Sequence, residues 1–281
     1  MSTASKQRRV AVIGWPVAHS RSPLIHSYWL EIYGIPGSYD RIAVAPAELA
    51  AFIGSFSDHG LIGCNVTVPH KELVAQLVKI PDRETTRLGS VNTLWMEDGE
   101  LLATSTDGYG FLQNLHSAAP DFTPGRHTAM VLGAGGAARP VIAALQSAGV
   151  AHIFLANRTA ERAAALAAKL GEGIHPIGWA EIPSRLETTS LLVNATSLGM
   201  TGGEPLVIDL APLPSEAIVA DIVYVPLETD LLRQARARGL RCVDGLGMLL
   251  HQAVPGFERW FGRRPEVTPE LRALIVRDLT G

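Results

Sequence analysis

Leu132-Gly133-Ala134-Gly135-Gly136-Ala137-Ala138 is the stretch on which the fold reading turns. It joins a short apolar run, Ala129–Leu132, to an alanine-rich segment, Ala137–Ala148, of helical character. The spacing is G-x-G-x-x-A. Between a strand and a helix, the first glycine makes a tight turn and the second lets the backbone approach a pyrophosphate. The small residue at Ala138 lets helix and strand pack closely. The helix N-terminus then offers free N–H groups and a positive dipole end to the anion. Cofactor contacts are therefore expected at Gly133, Ala134, Gly135, Gly136 and Ala137.

The rhythm continues outward from this loop. Downstream, His152–Ala156, Leu191–Ala195, Ile218–Tyr224 and a short Arg241–Val243 read as strands, with a helix over Ala160–Leu170. This is the βαβ series of a doubly wound, Rossmann-type sheet. Upstream, Val10–Trp15 reads as a strand ending at Pro16, and Ser22-Pro23 opens a helix with the serine as N-cap. Ser38–Val44 and Cys64–Val68 are further strands, with a helix from Pro46 that fades near Ser57. Pro69-His70-Lys71 begins the next helix. Asn92–Met96 and Glu100–Thr104 flank Asp98-Gly99 as a hairpin. A helix starts near Gly108 and runs to about Ala119. From Met248 the strands stop and two helical stretches finish the chain. The expected class is α/β in two domains, with mainly parallel sheets.

The second strand of the cofactor half ends Leu155-Ala156-Asn157-Arg158-Thr159. An NAD-preferring site usually carries an acid here for the ribose 2′-hydroxyl. No acid stands at the tip; Arg158 does, placed to face a 2′-phosphate with a planar, permanently charged fork. Arg162 lies one helical turn along. The expected cofactor is NADP.

Bulk properties narrow the partners. The 281 residues are 47% hydrophobic and 18% charged, with a formal net charge of −3. That supports sizeable cores and gives no basic footprint for nucleic acid, so small-molecule partners are expected. Cys64 and Cys242 have no metal-ligand spacing around them and no disulfide framework, which suits a reducing compartment. Met1–Arg9 lack the apolar core of a signal peptide, and no run is long enough to span a bilayer. A soluble cytoplasmic protein without metal or membrane partner is the expectation.

Several motifs stand in one order along nearly the whole chain: Gly14-Trp15-Pro16-Val17-Ala18-His19-Ser20-Arg21-Ser22-Pro23, Asn65-Val66-Thr67-Val68-Pro69-His70-Lys71, Val91-Asn92-Thr93 and Thr106-Asp107-Gly108. In the second half stand Asn157-Arg158-Thr159, Asn194-Ala195-Thr196-Ser197-Leu198-Gly199-Met200, and Gly245, Met248 and His251-Gln252-Ala253. Together they resemble the shikimate dehydrogenase family. The resemblance implies reduction of 3-dehydroshikimate to shikimate with NADPH, in the biosynthesis of chorismate and the aromatic amino acids. It implies that Ser20 and Ser22 bind the substrate carboxylate, helped by Tyr224. Thr67, Asn92 and Gln252 would hold ring hydroxyls, and Lys71 and Asp107 would form the catalytic pair and also touch substrate. Asn157, Arg158, Thr159, Arg162, Thr196, Ser197, Ile222, Gly245 and Met248 would complete the cofactor site. It further implies a substrate-binding domain of residues 1–113 with 246–281, a cofactor domain of residues 114–245, and a monomer or homodimer. Ser27, Ser90-Val91 and Ser105 depart from the commonest family pattern. A quinate or aminoshikimate dehydrogenase is therefore the alternative within the fold, and a non-catalytic nucleotide sensor the alternative outside enzymology.

Read without the resemblance, the residues are less specific. Lys71 in a first helical turn opposes the helix dipole, by roughly 0.3–1 kcal/mol at exposed sites, so its presence there invites a functional explanation. Asp107 before Gly108 reads first as an ordinary N-cap. Ser22 alone also reads as a cap; with Ser20 and nearby N–H groups it makes a carboxylate cradle. His19 and His26 have no partner at metal spacing and read as packing or loop residues. Gln252 sits on a helix of mixed polarity and reads equally well as facing solvent.

Overall fold

The computed structural model describes residues 8–281; Met1–Gln7 lie outside the described residues. The chain forms two compact units. One holds the described residues through Thr106 together with Gln252–Gly281, the other Asp107–His251. The chain passes between them after Thr106 and after His251. Helix α5 (Asp107–Ala118) stays whole and packs on α6 (Ala138–Ser147) and α10 (Gly245–His251).

In the first unit the strands are β1 (Arg8–Gly14), β2 (Gly37–Ala43), β3 (Gly63–Val66), β4 (Thr93–Glu97) and β5 (Glu100–Thr104). They form a sheet in the order β2-β1-β3-β4-β5. β1 runs parallel to β2 and β3, but β3–β4 and β4–β5 are antiparallel, so this sheet is mixed rather than mainly parallel. The β4–β5 pair is antiparallel because the tight Asp98-Gly99 turn returns the chain directly: both residues take positive φ, 50° and 81°. The helices are α1 (Ser22–Ile32), α2 (Leu49–Gly54), α3 (Lys71–Leu77), α4 (Arg83–Leu88), α11 (Ala253–Phe261) and α12 (Pro269–Thr280). With α10, three helices rather than two close the chain. The capping role expected of Ser22 is also corrected. Arg21 is the N-cap of α1 and makes no side-chain cap bond; Ser22 is already helical, and its N–H donates to Ser20 Oγ at 3.3 Å.

In the second unit all six strands run parallel: β6 (Thr128–Leu132), β7 (His152–Ala156), β8 (Ile174–Ile177), β9 (Leu191–Asn194), β10 (Ile218–Asp221) and β11 (Arg241–Val243). Their order, β11-β10-β9-β6-β7-β8, reverses direction at β6. Ligands of such sheets bind at the carboxyl ends of the strands, beside this reversal. α7 (Ala160–Leu170) follows β7, α8 (Ile182–Leu186) precedes β9, and α9 (Asp230–Ala237) leads into β11.

The first unit's core contains the titratable rings of His26, Tyr39 and His70. His26 is fully buried, stacked on Tyr39 at 4.1 Å and 3° and set edge-on to Trp29 at 5.6 Å. Among the described residues neither ring nitrogen has a hydrogen-bond partner. Burial lowers its pKa from 6.5 to about 3. The folded protein therefore keeps His26 neutral while the unfolded chain ionises below about pH 6.5, so this stability is complete above 6.5 and is lost as pH falls from there toward 3. Unfolding in urea should show a stability lower by about 2 kcal/mol at pH 5 than at pH 8 from this residue alone. In His26→Phe, which keeps a flat ring on Tyr39, that loss should disappear. An unchanged acid slope in the variant would refute the assignment.

Candidate active site

The expected substrate residues of the first unit gather at the carboxyl ends of β1 and β3 and around β4. β3 delivers Asn65, and the chain then passes through Thr67 and a cis Val68–Pro69 bond into α3. Trp15 N donates to Val68 O at 3.1 Å, which holds the turn after β1 against the turn after β3. Lys71 is the first residue of α3, half-buried, with His70 as N-cap. Its backbone is fixed twice. Val91 N donates to Lys71 O at 3.1 Å, and the buried His70 ring contacts Val44 O through Nε2 at 2.7 Å. Ser20 is half-buried with its carbonyl clamped by Arg41, at 3.0 Å from Nε and 2.7 Å from Nη2.

Asn92 and Gln252, 160 positions apart in sequence, are brought together. Asn92 Nδ2 donates to Gln252 Oε1 at 3.1 Å and to Thr106 Oγ1 at 3.0 Å, while Asn92 Oδ1 accepts from Thr106 N at 2.8 Å. Gln252 is buried, not solvent-facing, because it forms the N-cap of α11 with its carbonyl accepting from Thr106 Oγ1 at 2.8 Å. Sequence reasoning gave no site role to Tyr39, Asn65, Thr93 or Thr106, which extend this buried network. Tyr39 Oη donates to Asn65 Oδ1 at 2.5 Å, and Asn65 Nδ2 donates to Asn92 O at 2.9 Å and Thr93 Oγ1 at 3.2 Å. Burial raises the Tyr39 pKa, the nearby Cys64 raises it further, and a bond with Ser22 acts the other way. Ser22, Asn92 and Gln252 therefore belong to one polar chain through an otherwise apolar layer. Asn65 and Thr106 already stood inside quoted motifs; their burial was the missing signal.

In the second unit Asp107 opens α5, as its first helical residue rather than its cap. The glycine loop adopts the expected strand–turn–helix form. Gly133, at φ 103°, donates its N–H to Ala156 O at 2.7 Å, and an added Cβ there would press on Ala195 O and Thr196. At Gly135 and Gly136, by contrast, an added Cβ meets no described atom within 4 Å. Internal packing does not demand those two glycines; they leave exposed backbone N–H groups at the start of α6 open to a close-approaching pyrophosphate. The residues thus fit a dinucleotide. Asn157 ties the loop to the second strand by accepting from Ala134 N at 3.1 Å and donating to Thr159 O at 2.8 Å. Arg158 projects from the strand tip, 89% exposed, with Glu204 Oε2 at 3.7 Å from its guanidinium. Arg162 is exposed on α7.

The remaining expected cofactor residues sit on three segments of this unit. Thr196 and Ser197 follow β9, Ile222 follows β10, and Gly245 and Met248 lie on α10. Gly245 is there because its Cα packs directly on the Ile222 and Val223 carbonyls, leaving no space for a side chain. Tyr224 is half-buried two residues beyond Ile222. No group of three His, Cys, Asp or Glu able to hold a metal occurs among the described residues, and no described helix is long and apolar enough to cross a membrane.

Residues 12–94 match the shikimate dehydrogenase substrate binding domain, 118–201 the shikimate / quinate 5-dehydrogenase family and 245–274 the shikimate 5′-dehydrogenase C-terminal domain. A shikimate dehydrogenase (NADP(+)) of Rhodopseudomonas palustris strain TIE-1 is 54% identical over 276 residues, spanning 98% of this chain and 99% of its own. The chain belongs to the shikimate dehydrogenase family. It is accordingly an oxidoreductase. Among solved members and neighbours, a shikimate 5-dehydrogenase from Thermus thermophilus, in complex with NADP(H) and shikimate, is 35% identical with a TM-score of 0.85, covering 97% of this chain and 100% of that one. A quinate dehydrogenase from Corynebacterium glutamicum in complex with NAD is 29% identical with a TM-score of 0.89, covering 96% and 99%. The three family spans include Ser20, Lys71, Asn92, the glycine loop, Gln252 and Met248. Asp107, Ile222 and Tyr224 fall between them.

Proposed function

We propose that this member of the shikimate dehydrogenase family interconverts 3-dehydroshikimate and shikimate with NADPH and NADP. The observation that carries the reading is the 54% identity, over almost the full length of both chains, to a relative named for shikimate and NADP(+). Free thiols at Cys64 and Cys242 suit a reducing compartment, and the cytoplasm is the proposed location, with a monomer or homodimer as the working unit. The likeness to a quinate dehydrogenase keeps quinate as the second candidate substrate. Quinate carries an extra hydroxyl on the carbon that bears the carboxylate, where Ser20 and Ser22 are assigned. Steady-state assays with both substrates and both cofactors decide the matter: shikimate with NADP should give the highest kcat/KM, and equal turnover of quinate would overturn the substrate assignment.

When bound, NADPH supplies the hydride that adds to the substrate carbonyl carbon. The chain's own task is at the oxygen, which gains negative charge and must take a proton. Lys71 is assigned to give that proton, and to receive it back when shikimate is oxidised. Asp107 is assigned to orient the lysine and to accept a hydrogen bond from the same hydroxyl. Asn92 and Gln252, fixed to one another in the buried network, hold neighbouring ring hydroxyls. Thr67 is assigned to a further ring hydroxyl, and Ser20, Ser22 and Tyr224 to the carboxylate. General acid–base help is worth about 10²–10⁴-fold, so Lys71→Met should lower kcat by at least about a hundredfold with shikimate KM within a few-fold. Near-normal kcat in that variant would remove the lysine from the chemistry.

Arg158 is assigned to the 2′-phosphate, with Arg162 beside it. Its existing partner Glu204 is itself 76% exposed, and such solvent-exposed ion pairs are worth about 0–1 kcal/mol, little enough for a phosphate to displace. A phosphate offers the guanidinium two parallel charge-assisted bonds instead. Arg158→Ala should raise KM for NADP by about tenfold or more and leave KM for NAD nearly unchanged. Equal losses for the two cofactors would remove Arg158 from the selectivity.

A further inference from the structure

The loops after β9 and β10 carry residues assigned above to both ligands, and one buried carboxylate joins them. Asp221, at the end of β10, is 2% exposed. Its Oδ1 accepts from Asn194 Nδ2 at 2.9 Å and from Val223 N at 3.0 Å, and its Oδ2 accepts from Thr229 Oγ1 at 2.7 Å. Burial raises its pKa, while the bonds from Thr229, Val223 and Asn194 oppose the rise.

Asn194 passes the constraint into the first loop. Its Oδ1 accepts from Thr196 N at 3.1 Å and Thr196 Oγ1 at 2.7 Å, and its Nδ2 also donates to Leu198 O at 3.1 Å. Val223 and Thr229 carry it into the second. Val223 lies between Ile222 and Tyr224, and Thr229 caps α9 by accepting from Leu232 N at 3.3 Å. Two backbone bonds brace the pair of loops, Ile222 N to Asn194 O at 3.0 Å and Thr201 N to Val225 O at 2.9 Å.

A buried ion is a poor way to gain stability, because desolvation offsets most of what its bonds return. What a carboxylate does offer is two oxygens that only accept, so three donors from two loops can converge on it. An amide in its place has one acceptor oxygen and turns N–H groups toward at least one of those donors. We propose that Asp221 is a positioning residue that locks the loop of Thr196 and Ser197 to the loop of Ile222 and Tyr224, so that cofactor contacts and substrate contacts are set together. The proposal rests on the assignment of those four residues to the ligands made above.

The test measures KM for NADP and for shikimate separately from kcat and melting temperature. Asp221→Asn should raise both KM values by at least about tenfold. Thr229→Val removes one donor from the loop that carries both Ile222 and Tyr224; it should raise both KM values by about fivefold or more, and Thr229→Ser should restore both. A merely structural role would lower the melting temperature and kcat with both KM values unchanged, and that result overturns the proposal. If Asp221→Asn does not fold, the Thr229 pair decides by the same criterion. Tyr224→Phe and Thr196→Val separate the two ideas. If they leave both KM values unchanged, the assignment of the loops to ligands fails. If they raise them while the Asp221 and Thr229 variants do not, the positioning role alone fails.

Discussion

A chain that leaves one folded unit and returns to it later needs its exit and return points fixed side by side. Here that requirement falls on the hydrogen bond from Thr106 Oγ1 to Gln252 O, 2.8 Å long and buried. The Asn92 carboxamide completes it, accepting from the backbone of Thr106 and donating to the side chain of Gln252. Groups so buried have no water to fall back on, so losing one leaves the others unpaired at a cost of about 1–3 kcal/mol each. The same three residues are thus a structural closure, and the proposed function gives two of them, Asn92 and Gln252, ring hydroxyls to hold as well. That double duty accounts for polar side chains where packing alone would favour leucine or valine.

In the other unit the parallel sheet does the positioning. All six strands point their carboxyl ends the same way, and the glycine loop, Arg158, Thr196 and Ile222 all follow such ends. Gly245 brings α10 down onto the Ile222 carbonyl, so Met248 is placed by backbone contact rather than by any property of its side chain.

Much of this was legible from the sequence where a local rule was strong. The glycine spacing, the Asp98-Gly99 hairpin and the bounds of α7 and β11 follow from residues within a few positions of one another. Edge strand β8 escaped because its four residues, Ile174 to Ile177, include Pro176 and two exposed positions, which weakens any strand pattern. α4 and α8 are too short for helical periodicity to show. The site's motif residues were legible as types, but their partners were not. Nothing near Asn92 in sequence points to Gln252, and nothing near Asn65 points to Tyr39; both pairs exist only because separate strands and helices converge. The burial of Gln252 was likewise hidden, since a glutamine on a mixed helix reads as a surface residue until the opposite wall is known.

The docking of the C-terminal helices also sets an order of events during synthesis. Trp260 Nε1 donates to Leu94 O at 2.8 Å and Trp29 Nε1 to Glu266 O at 2.9 Å, so α11 and the segment after it close a layer begun more than 160 residues earlier. The unit formed by Asp107–His251 is one unbroken stretch, and such stretches generally fold as units. The N-terminal sheet belongs to a unit made of two stretches. Until residues 252–281 are in place, the faces of α1, β1 and β4 that receive α11 have no cover. Strands β1 and β4 are thus secured late, and loss of residues 252–281 would expose that sheet rather than merely shorten the chain.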